Sequence, residues 1–419
     1  MSSSSSKKKR RTQKNYTLLT QEEQCLRNPD MYVGSVNVQK NNDFEGHDWP
    51  YYFDGVLNKK YPIPALYKLV DELLVNVMDV YTKNKVSAEE EPVKNVSITT
   101  DYQTGKISVK NDGTGVPVEI HELASKALKK QILCPELVWF HFGSGDNFEG
   151  DRIVGGKNGY GAKLCGVFSS EYEVKTCDGK GKVFKMIAKD NMSKKSKASV
   201  KSTKASAYTK ITFTIDLKRF SENGQAITNV PVDTQFAIDE RIQDLANFMP
   251  DVKVKLNNVR VKPKTLAKQA KEVLGKVLFQ HETDNYFVAV GPRKEDGGSG
   301  CCSYVNGTFN RNGGRHINQL LSALNSGMQQ VSKSYKSANL NRFQLSRRLL
   351  VFASLKNVVN VMYDGQCKDE VKSANNLRCP IRYDIKEHAK YFKALGKSLK
   401  DYIERKKSAS ENREARATD

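Results

Sequence analysis

Apolar positions along the chain switch between two periods, and the switch points outline an α+β protein. From Pro64 the segment ALYKLVDELLVNVMDVY places Leu66, Leu69, Val70, Leu73, Leu74 and Val77 at the i, i+3, i+4 spacing of an amphipathic helix with one buried face. VSITTDY and KISVKND then read as two strands joined by a turn at Gly105, the second ending in Asn111-Asp112-Gly113-Thr114-Gly115. PELVWFHF reads as helical, a glycine-dense loop runs from Gly143 to Gly161, and a helix is predicted over Gly161–Phe168. YEVKTC, GKVFKMIA and YTKITFTID complete this first α+β layer.

A change of domain is predicted around residues 230–250. PVDTQFAIDERIQDLANFMP gives a helix and VKVKLNNVRV a hairpin with Asn257-Asn258 at its turn. Strands FVAVG and CSYVNG, a long helix from Ile317 to about Lys333, the strand LLVFASL and a final helix from Ile385 to about Lys407 make a second α/β unit. A chain of 419 residues suits two such cores, and no internal repeat is visible.

Charge adds a partner class. A formal charge of +21 with a pI near 9.4 favours polyanions, with nucleic acid the leading candidate. Residues 1–15, MSSSSSKKKRRTQKN, cannot bury enough surface to fold alone; the Lys7–Arg11 cluster reads as a nuclear address, a DNA-binding tail or plain solvated charge. The tract DNMSKKSKASVKSTKASAY, between Asp190 and Tyr208, lacks apolar periodicity and is expected to be a mobile basic loop. No apolar run approaches the roughly 20 residues of a membrane helix, and the N-terminus lacks the apolar stretch of a secretion signal. The eight cysteines show no Cys-x-x-Cys spacing and the six histidines no i,i+4 pairing, so reduced, intracellular thiols and no bound transition metal are expected.

Four constellations point to one nucleotide site. Glu72 and Asn76 stand four apart, on one helix face beside leucines. A carboxylate there suits a general base for an attacking water, and an amide oxygen suits Mg²⁺, which takes few protein ligands beside phosphates and water. A solvated helix stripe is the plain alternative. Asp112-Gly113-Thr114-Gly115 offers a carboxylate to an exocyclic amine such as adenine's, next to glycines that let a flat base approach the backbone; an ordinary turn is the alternative. Gly155-Gly156-Lys157-Asn158-Gly159-Tyr160-Gly161-Ala162-Lys163 runs into a helix start, where free N–H groups favour phosphate. Its spacing is neither the Walker nor the Rossmann pattern, which implies a different nucleotide fold. Gln366-Cys367-Lys368, far downstream, puts a lysine of the second domain within reach of a terminal phosphate, although alone the tripeptide carries no meaning.

In order, RNPDMYVGS, DELLVN, NDGTGVPVEIH, GGKNGYGAKLC, YVNGTFNRNGGRHI and DGQCKDE resemble the ATPase region of type IIA DNA topoisomerases, from about Tyr16 to about Ile385. The resemblance is nearest to the eukaryotic enzymes and to the large subunit of the T-even phages. It implies a GHKL (Bergerat-type) ATP-binding α/β sandwich followed by a transducer domain with a mixed sheet and long helices. The expected division is a basic arm and strap over 1–30, the ATP-binding domain over 31–235, the transducer over 236–400 and a tail over 401–419. Glu72 then resembles the general base, Asn76 the Mg²⁺ ligand, Asp112 with Gly115 the adenine-reading turn, and Thr212 a threonine near the adenine. Ser144 and Asn147 fall in the ribose and phosphate segment, while Lys157, Asn158, Gly159, Tyr160, Gly161, Ala162 and Lys163 match the phosphate-wrapping loop. Gln366 and Lys368 match the loop that senses the γ-phosphate, and Tyr16 resembles the strap tyrosine that enters the partner's site. Val80, Gly145, Asp146 and Cys367 depart from the family's residues.

The resemblance also implies ATP and Mg²⁺ as ligands and a homodimer whose ATP-dependent gate captures double-stranded DNA. Hydrolysis would reset that gate through the transducer. Lys194–Lys204 and Lys333, Lys336, Arg342, Arg347 and Arg348 are expected to meet DNA phosphates without reading bases. The chain has no Glu-Gly-Asp-Ser acidic module and no winged-helix segment with a DNA-cleaving tyrosine, so ATP hydrolysis without DNA cleavage is expected of it. The cleavage core would lie in the same polypeptide or in a separate subunit, at no membrane, in a nucleus or at a site of viral DNA replication. The rivals are another GHKL ATPase, such as a MutL-like repair protein or a chaperone, and a non-hydrolysing DNA clamp; a DNA-packaging protein would explain the charge but not the nucleotide motifs.

Overall fold

The computed structural model describes residues 18–38, 49–53, 55–86, 91–144, 159–294, 300–331, 333–338, 340–375, 377, 385–400, 403–405 and 408. The apolar stripe predicted from Pro64 forms the helix Pro64–Val86, whose opening proline fits a first-turn position with no N–H partner to lose. Leu66, Leu69, Val70, Leu73, Leu74 and Val77 are all buried in one core with strand residues Val96, Ile98, Ile107 and Val109. At about 25 cal/mol per Å² of apolar surface, side chains of this size each contribute roughly 1.5–3 kcal/mol on burial.

Among the described residues this helix lies with a nine-stranded sheet. Its order from one edge is Val259–Arg260, Lys253–Leu256, Asn95–Asp101, Lys106–Asp112, Tyr208–Ile215, Ser169–Cys177 and Lys182–Lys189. Two short strands, Lys194–Lys195 and Ser199–Ser202, pair antiparallel with the outer side of Lys182–Lys189. The basic tract expected as a mobile loop therefore forms the sheet edge. It shows no apolar alternation because its side chains are exposed, while the strand pairing needs only backbone groups.

The first sheet extends past the expected boundary at residues 235–236. Lys253–Leu256 adds in parallel to Asn95–Asp101, and the preceding helix Val232–Phe248 packs on the Pro64–Val86 helix through Ile238, Ile242 and Leu245. The change of layer thus falls between Arg260 and the helix Leu266–Leu274, not near residue 236. At the other end, Cys25 of the helix Gln21–Arg27 and Val33 belong to the first core, so the folded unit begins inside the expected arm.

The second unit carries a five-stranded sheet in the order Phe279–Thr283, Tyr286–Pro292, Leu349–Leu355, Cys301–Val305, Thr308–Phe309. Leu349–Leu355 is buried along its whole length because both sheet faces are covered. The helices Arg315–Val331 and Ile385–Ser398 cover one face, with Leu320, Leu324, Met328, Phe392 and Leu395 in the core. Leu266–Leu274 covers the other, joined by Tyr52 from the early hairpin Trp49–Phe53 and Val56–Lys60. Tyr67 and Ala237 of the first unit pack with Phe309 of the second, fixing the contact between them.

Candidate active site

Glu72 lies on the inner face of the long helix, buried with Lys68 and Asp71. Lys68 Nζ donates to Asp71 Oδ2 at 2.8 Å and lies 2.9 Å from Glu72 Oε1. Arg241, from Val232–Phe248, donates through Nε to Asp71 Oδ1 at 2.7 Å. Lys368 Nζ, from the second unit, donates to the same Glu72 Oε1 at 3.2 Å. Burial pushes the Glu72 pKa up, and the Lys368 and Lys68 ammoniums more than reverse it, leaving the carboxyl below its ordinary value. Burial acts likewise on Asp71, where Lys68 and Arg241 hold the group well below the usual carboxylate range. Glu72 is therefore a carboxylate at neutral pH, able to orient and accept a proton from water. Its Oε2 abuts Gly161: a Cβ on that residue would lie 2.2 Å away.

Beside this cluster is a cavity of about 560 Å³, in the size range of small-ligand sites. Glu72 and Asn76 line it together with Asn111, Thr114, Gly115, Thr209 and Ile211 from the sheet side, and Ser144, Gly159, Tyr160, Gly161, Ala162 and Lys163 from the glycine-rich side. Gln366 and Lys368 enter from the second unit. Val80 lines it too, an apolar wall where the family pattern has an amide.

Two strand assignments shift once the pleat is seen. Asp112 does not line the cavity. Its carboxylate accepts from Lys94 N and Asn95 N, both at 2.8 Å, and from Asn95 Nδ2 at 2.7 Å, which ties down the start of the neighbouring strand. Asn111 is the inward residue, buried on the same face as Ile107 and Val109, because strand side chains alternate. In the same way Thr212 is turned to Ser108 Oγ, 3.0 Å away, while Thr209 lines the cavity within 3.0 Å of Thr176 Oγ1. Counting parity from the apolar positions of each strand finds both inward residues.

The glycine-rich side is held by Lys163, whose Nζ donates to the carbonyls of Ser144 and Gly159 at 2.6 Å each. Burial pushes its pKa down to about 7, while the two carbonyl oxygens favour its ammonium form. Gly159 has φ +64°, and a Cβ there would stand 2.4 Å from Ser144 O, so both conformation and space require glycine. Ser144 Oγ lies 2.6 Å from the carbonyl oxygens of both Leu137 and His141, which share its one O–H. The Tyr160 ring packs against those of Tyr32 and Phe142, with centroids 5.9 and 5.3 Å away. Asn147, Lys157 and Asn158, and the departures Gly145 and Asp146, lie outside the described residues, as do Tyr16 and the Lys7–Arg11 cluster.

Lys368 is presented by a loop that the NGTFNRNGG segment braces. Asn310 Nδ2 donates to Lys368 O at 2.8 Å, Arg311 Nη2 to Asp369 Oδ2 at 2.9 Å and Asn312 N to Asp369 O at 2.9 Å. Cys367 packs near Gly34 of the first unit, its Sγ 3.5 Å from where a Cβ would stand. Sequence reasoning missed Lys68, Asp71 and Arg241. Lys68 was legible as an i,i+4 partner of Glu72; Arg241 carries no local signal.

The family model for DNA gyrase B matches residues 262–419. The DNA topoisomerase 2 of Penicillium chrysogenum is 30% identical over 397 residues, covering 89% of this chain and 23% of its own length. That of Arabidopsis thaliana is 30% identical over 407 residues, covering 92% of this chain and 26% of its own length. The ATPase and transducer domains of DNA topoisomerase II from Balamuthia mandrillaris share the fold, with TM-score 0.79 at 24% identity over 95% of this chain and all of that one. Over most of its length the chain is similar to part of these DNA topoisomerase 2 chains. It spans about a quarter of the length of these curated relatives. Nothing in these comparisons favours another GHKL protein, such as a MutL-like protein or a chaperone.

None of the basic residues expected to meet DNA lines the cavity. Lys333 and Lys336 are exposed on the helix Lys333–Ala338, Arg342 and Arg347 are exposed at Arg342–Ser346 and just beyond, and Arg348 is half-buried. The Arg347 guanidinium rests over the exposed Phe343 ring, 4.8 Å from its centroid. Among the described residues no helix is long and apolar enough to cross a membrane, and no cluster of His, Cys, Asp and Glu could hold a metal ion.

Proposed function

We propose that this chain binds ATP in the Glu72 cavity and hydrolyses it, as the ATP-operated gate of a type II DNA topoisomerase. The observation that carries this reading is the Glu72 carboxylate, buried beside the cavity between a lysine of its own helix and Lys368 of the second unit. Phosphoryl transfer asks mostly for positioning and charge stabilisation, and the site offers both. Glu72 orients the attacking water and takes its proton. Asn111 and Thr209 present the amide and hydroxyl that read the adenine edge, a role moved here from Asp112 and Thr212. Lys163 holds the glycine-rich segment beside the phosphates, and by resemblance Ser144, Asn147, Lys157 and Asn158 serve the ribose and phosphates. Lys368, with Gln366, meets the terminal phosphate.

Asn76 fits Mg²⁺: it lines the cavity one turn from Glu72 and its amide has no hydrogen-bond partner among the described residues. The ion, when bound there, offsets phosphate charge. Loss of the γ-phosphate removes the ligand that ties Lys368 to the nucleotide, and a differential contact of that kind is what a switch between units requires. The first unit, ending near Arg260, is then the ATP-binding domain, and the second, from Leu266, the transducer. Tyr16 from a second copy completes the site, so the working form is a homodimer that closes on double-stranded DNA. Lys194–Lys204 and the Lys333–Arg348 face supply phosphate contacts, and the DNA cleavage core is joined to this region, in an intracellular and nuclear or viral replication setting.

The test is ATP hydrolysis by the chain and by Glu72→Ala, with and without duplex DNA, while both are sized with a non-hydrolysable ATP analogue. The expected result is turnover by the wild type alone and dimerisation of both. Equal turnover by Glu72→Ala, or monomers throughout, would remove the base assignment or the gate.

A further inference from the structure

Arg241 is the largest fully buried side chain among the described residues, yet its guanidinium is poorly matched. Nε donates to Asp71, Nη2 approaches Met78 Sδ at 3.9 Å, and Nη1 is buried without a hydrogen-bond partner. A guanidinium has five donors, and leaving one unmatched in the interior costs about 1–3 kcal/mol. Replacing such a buried pair by apolar groups is often neutral or stabilising, so packing alone does not account for it.

Its place in the charge order does. Arg241, Asp71, Lys68, Glu72 and Lys368 form a buried series of alternating sign, each neighbour within 3.2 Å of the next. Within the first unit the cations Lys68 and Arg241 balance the anions Asp71 and Glu72, and Lys368 is the extra cation, supplied by the second unit. Lys68 is the shared member: its one ammonium serves Asp71 at 2.8 Å and Glu72 at 2.9 Å. How evenly it is shared depends on what else Asp71 has.

We propose that Arg241 is a positioning residue for hydrolysis: by engaging Asp71 from the far side, it leaves Lys68 free to hold Glu72 toward the cavity. The proposal rests on the reading of Glu72 as the base. The groups that face Glu72 are Lys68 and Asp71 on its own helix, Cys165 on the helix Gly161–Val167, and Cys367 and Lys368 on the second-unit loop. Those that face Arg241 are Tyr67, Asp71, Asp244 and, from the second unit, Tyr304. Without Arg241, Asp71 draws Lys68 to itself and Glu72 becomes easier to protonate. Without the Asp71 charge, Lys68 turns wholly to Glu72, which becomes harder to protonate. The two changes thus move the same group in opposite directions.

The experiment is the pH dependence of kcat and KM for ATP hydrolysis by the whole chain, for wild type, Arg241→Met, Arg241→Lys, Asp71→Asn and Glu72→Gln. Arg241→Met is expected to lower kcat about tenfold at neutral pH with KM within about threefold, and to move the acid limb of the profile up by roughly one pH unit. Asp71→Asn is expected to move that limb down, and Arg241→Lys to restore most of kcat. If both limbs stay at the wild-type position while kcat falls with thermal stability, Arg241 is only structural and the proposal is overturned. Should Arg241→Met not fold, Arg241→Gln takes its place: an upward shift of the limb supports the proposal and an unmoved limb overturns it. Wild-type turnover by Glu72→Gln would instead remove the base reading itself; an inactive Glu72→Gln with unmoved limbs removes this proposal and leaves that reading standing.

Discussion

Lys368 Nζ donates to Glu72 Oε1 at 3.2 Å although 296 positions separate them, so the two units share one buried carboxylate. Lys368→Met leaves Glu72 with Lys68 alone. Hydrolysis is expected to fall about 100-fold, the scale of losing one positioned donor to developing charge. The stability effect has a definite sign. The pairing lowers the folded-state pKa of Glu72 from its ordinary 4.5, so its contribution is fully present above that value and is lost as pH falls through the lowered folded value. Wild type should melt above Lys368→Met by a constant margin near neutrality, a margin that closes in acid; thermal melts across pH check this.

Asn111 and Asp112 are adjacent but belong to opposite faces. Asn111→Ala is expected to weaken ATP binding about tenfold with little change in melting temperature, since one good hydrogen bond and its desolvation are worth roughly 1–2 kcal/mol. Asp112→Ala, which loses three hydrogen bonds to Lys94 and Asn95, should do the reverse and cost about 1–3 kcal/mol of stability. Nucleotide titration beside thermal melts separates the two. Interchanged effects would return the adenine contact to Asp112.

Gly161→Ala tests how tightly Glu72 is seated. Alanine is ordinarily the better helix residue by about 1 kcal/mol. Here its Cβ would fall 2.2 Å from Glu72 Oε2, so the carboxylate must swing away. Turnover is expected to drop at least 100-fold, the scale on which a misplacement of about 1 Å acts, with the chain still folded by circular dichroism.

The exposed Lys333, Lys336, Arg342 and Arg347 are expected to contribute to duplex binding through counterion release. Replacing each by Gln should reduce the slope of log affinity against log salt by roughly one unit, without changing any sequence preference. Binding measured at several salt concentrations gives that slope; an unchanged slope would place the DNA elsewhere.

What was legible in the sequence followed from periodicity and local spacing. The helix carrying Glu72 and Asn76, the strand pair around Gly105 and the hairpin at Asn257-Asn258 all stand where apolar period and turn residues put them, with Asn257 and Asn258 at φ +48° and +67°. What was not legible depended on pairing between distant segments. The parallel addition of Lys253–Leu256 moved the domain boundary, and backbone pairing drew the polar Lys194–Ser202 tract onto a sheet edge. Within the site, strand parity puts Asn111 and Thr209 on the cavity side, whereas local spacing and resemblance pick out their neighbours Asp112 and Thr212. Arg241 reaches Asp71 across 170 positions, a contact only the packed helices create.

The central claim is that one cavity, completed by the second unit, holds the whole nucleotide, and a crystal structure of the chain with Mg²⁺ and a non-hydrolysable ATP analogue tests it most directly. The expected result is adenine against Asn111 and Thr209, with the terminal phosphate within hydrogen-bond reach of Lys368 and the attacking side facing Glu72. A base bound elsewhere, or a terminal phosphate out of reach of both Lys368 and Glu72, would contradict it.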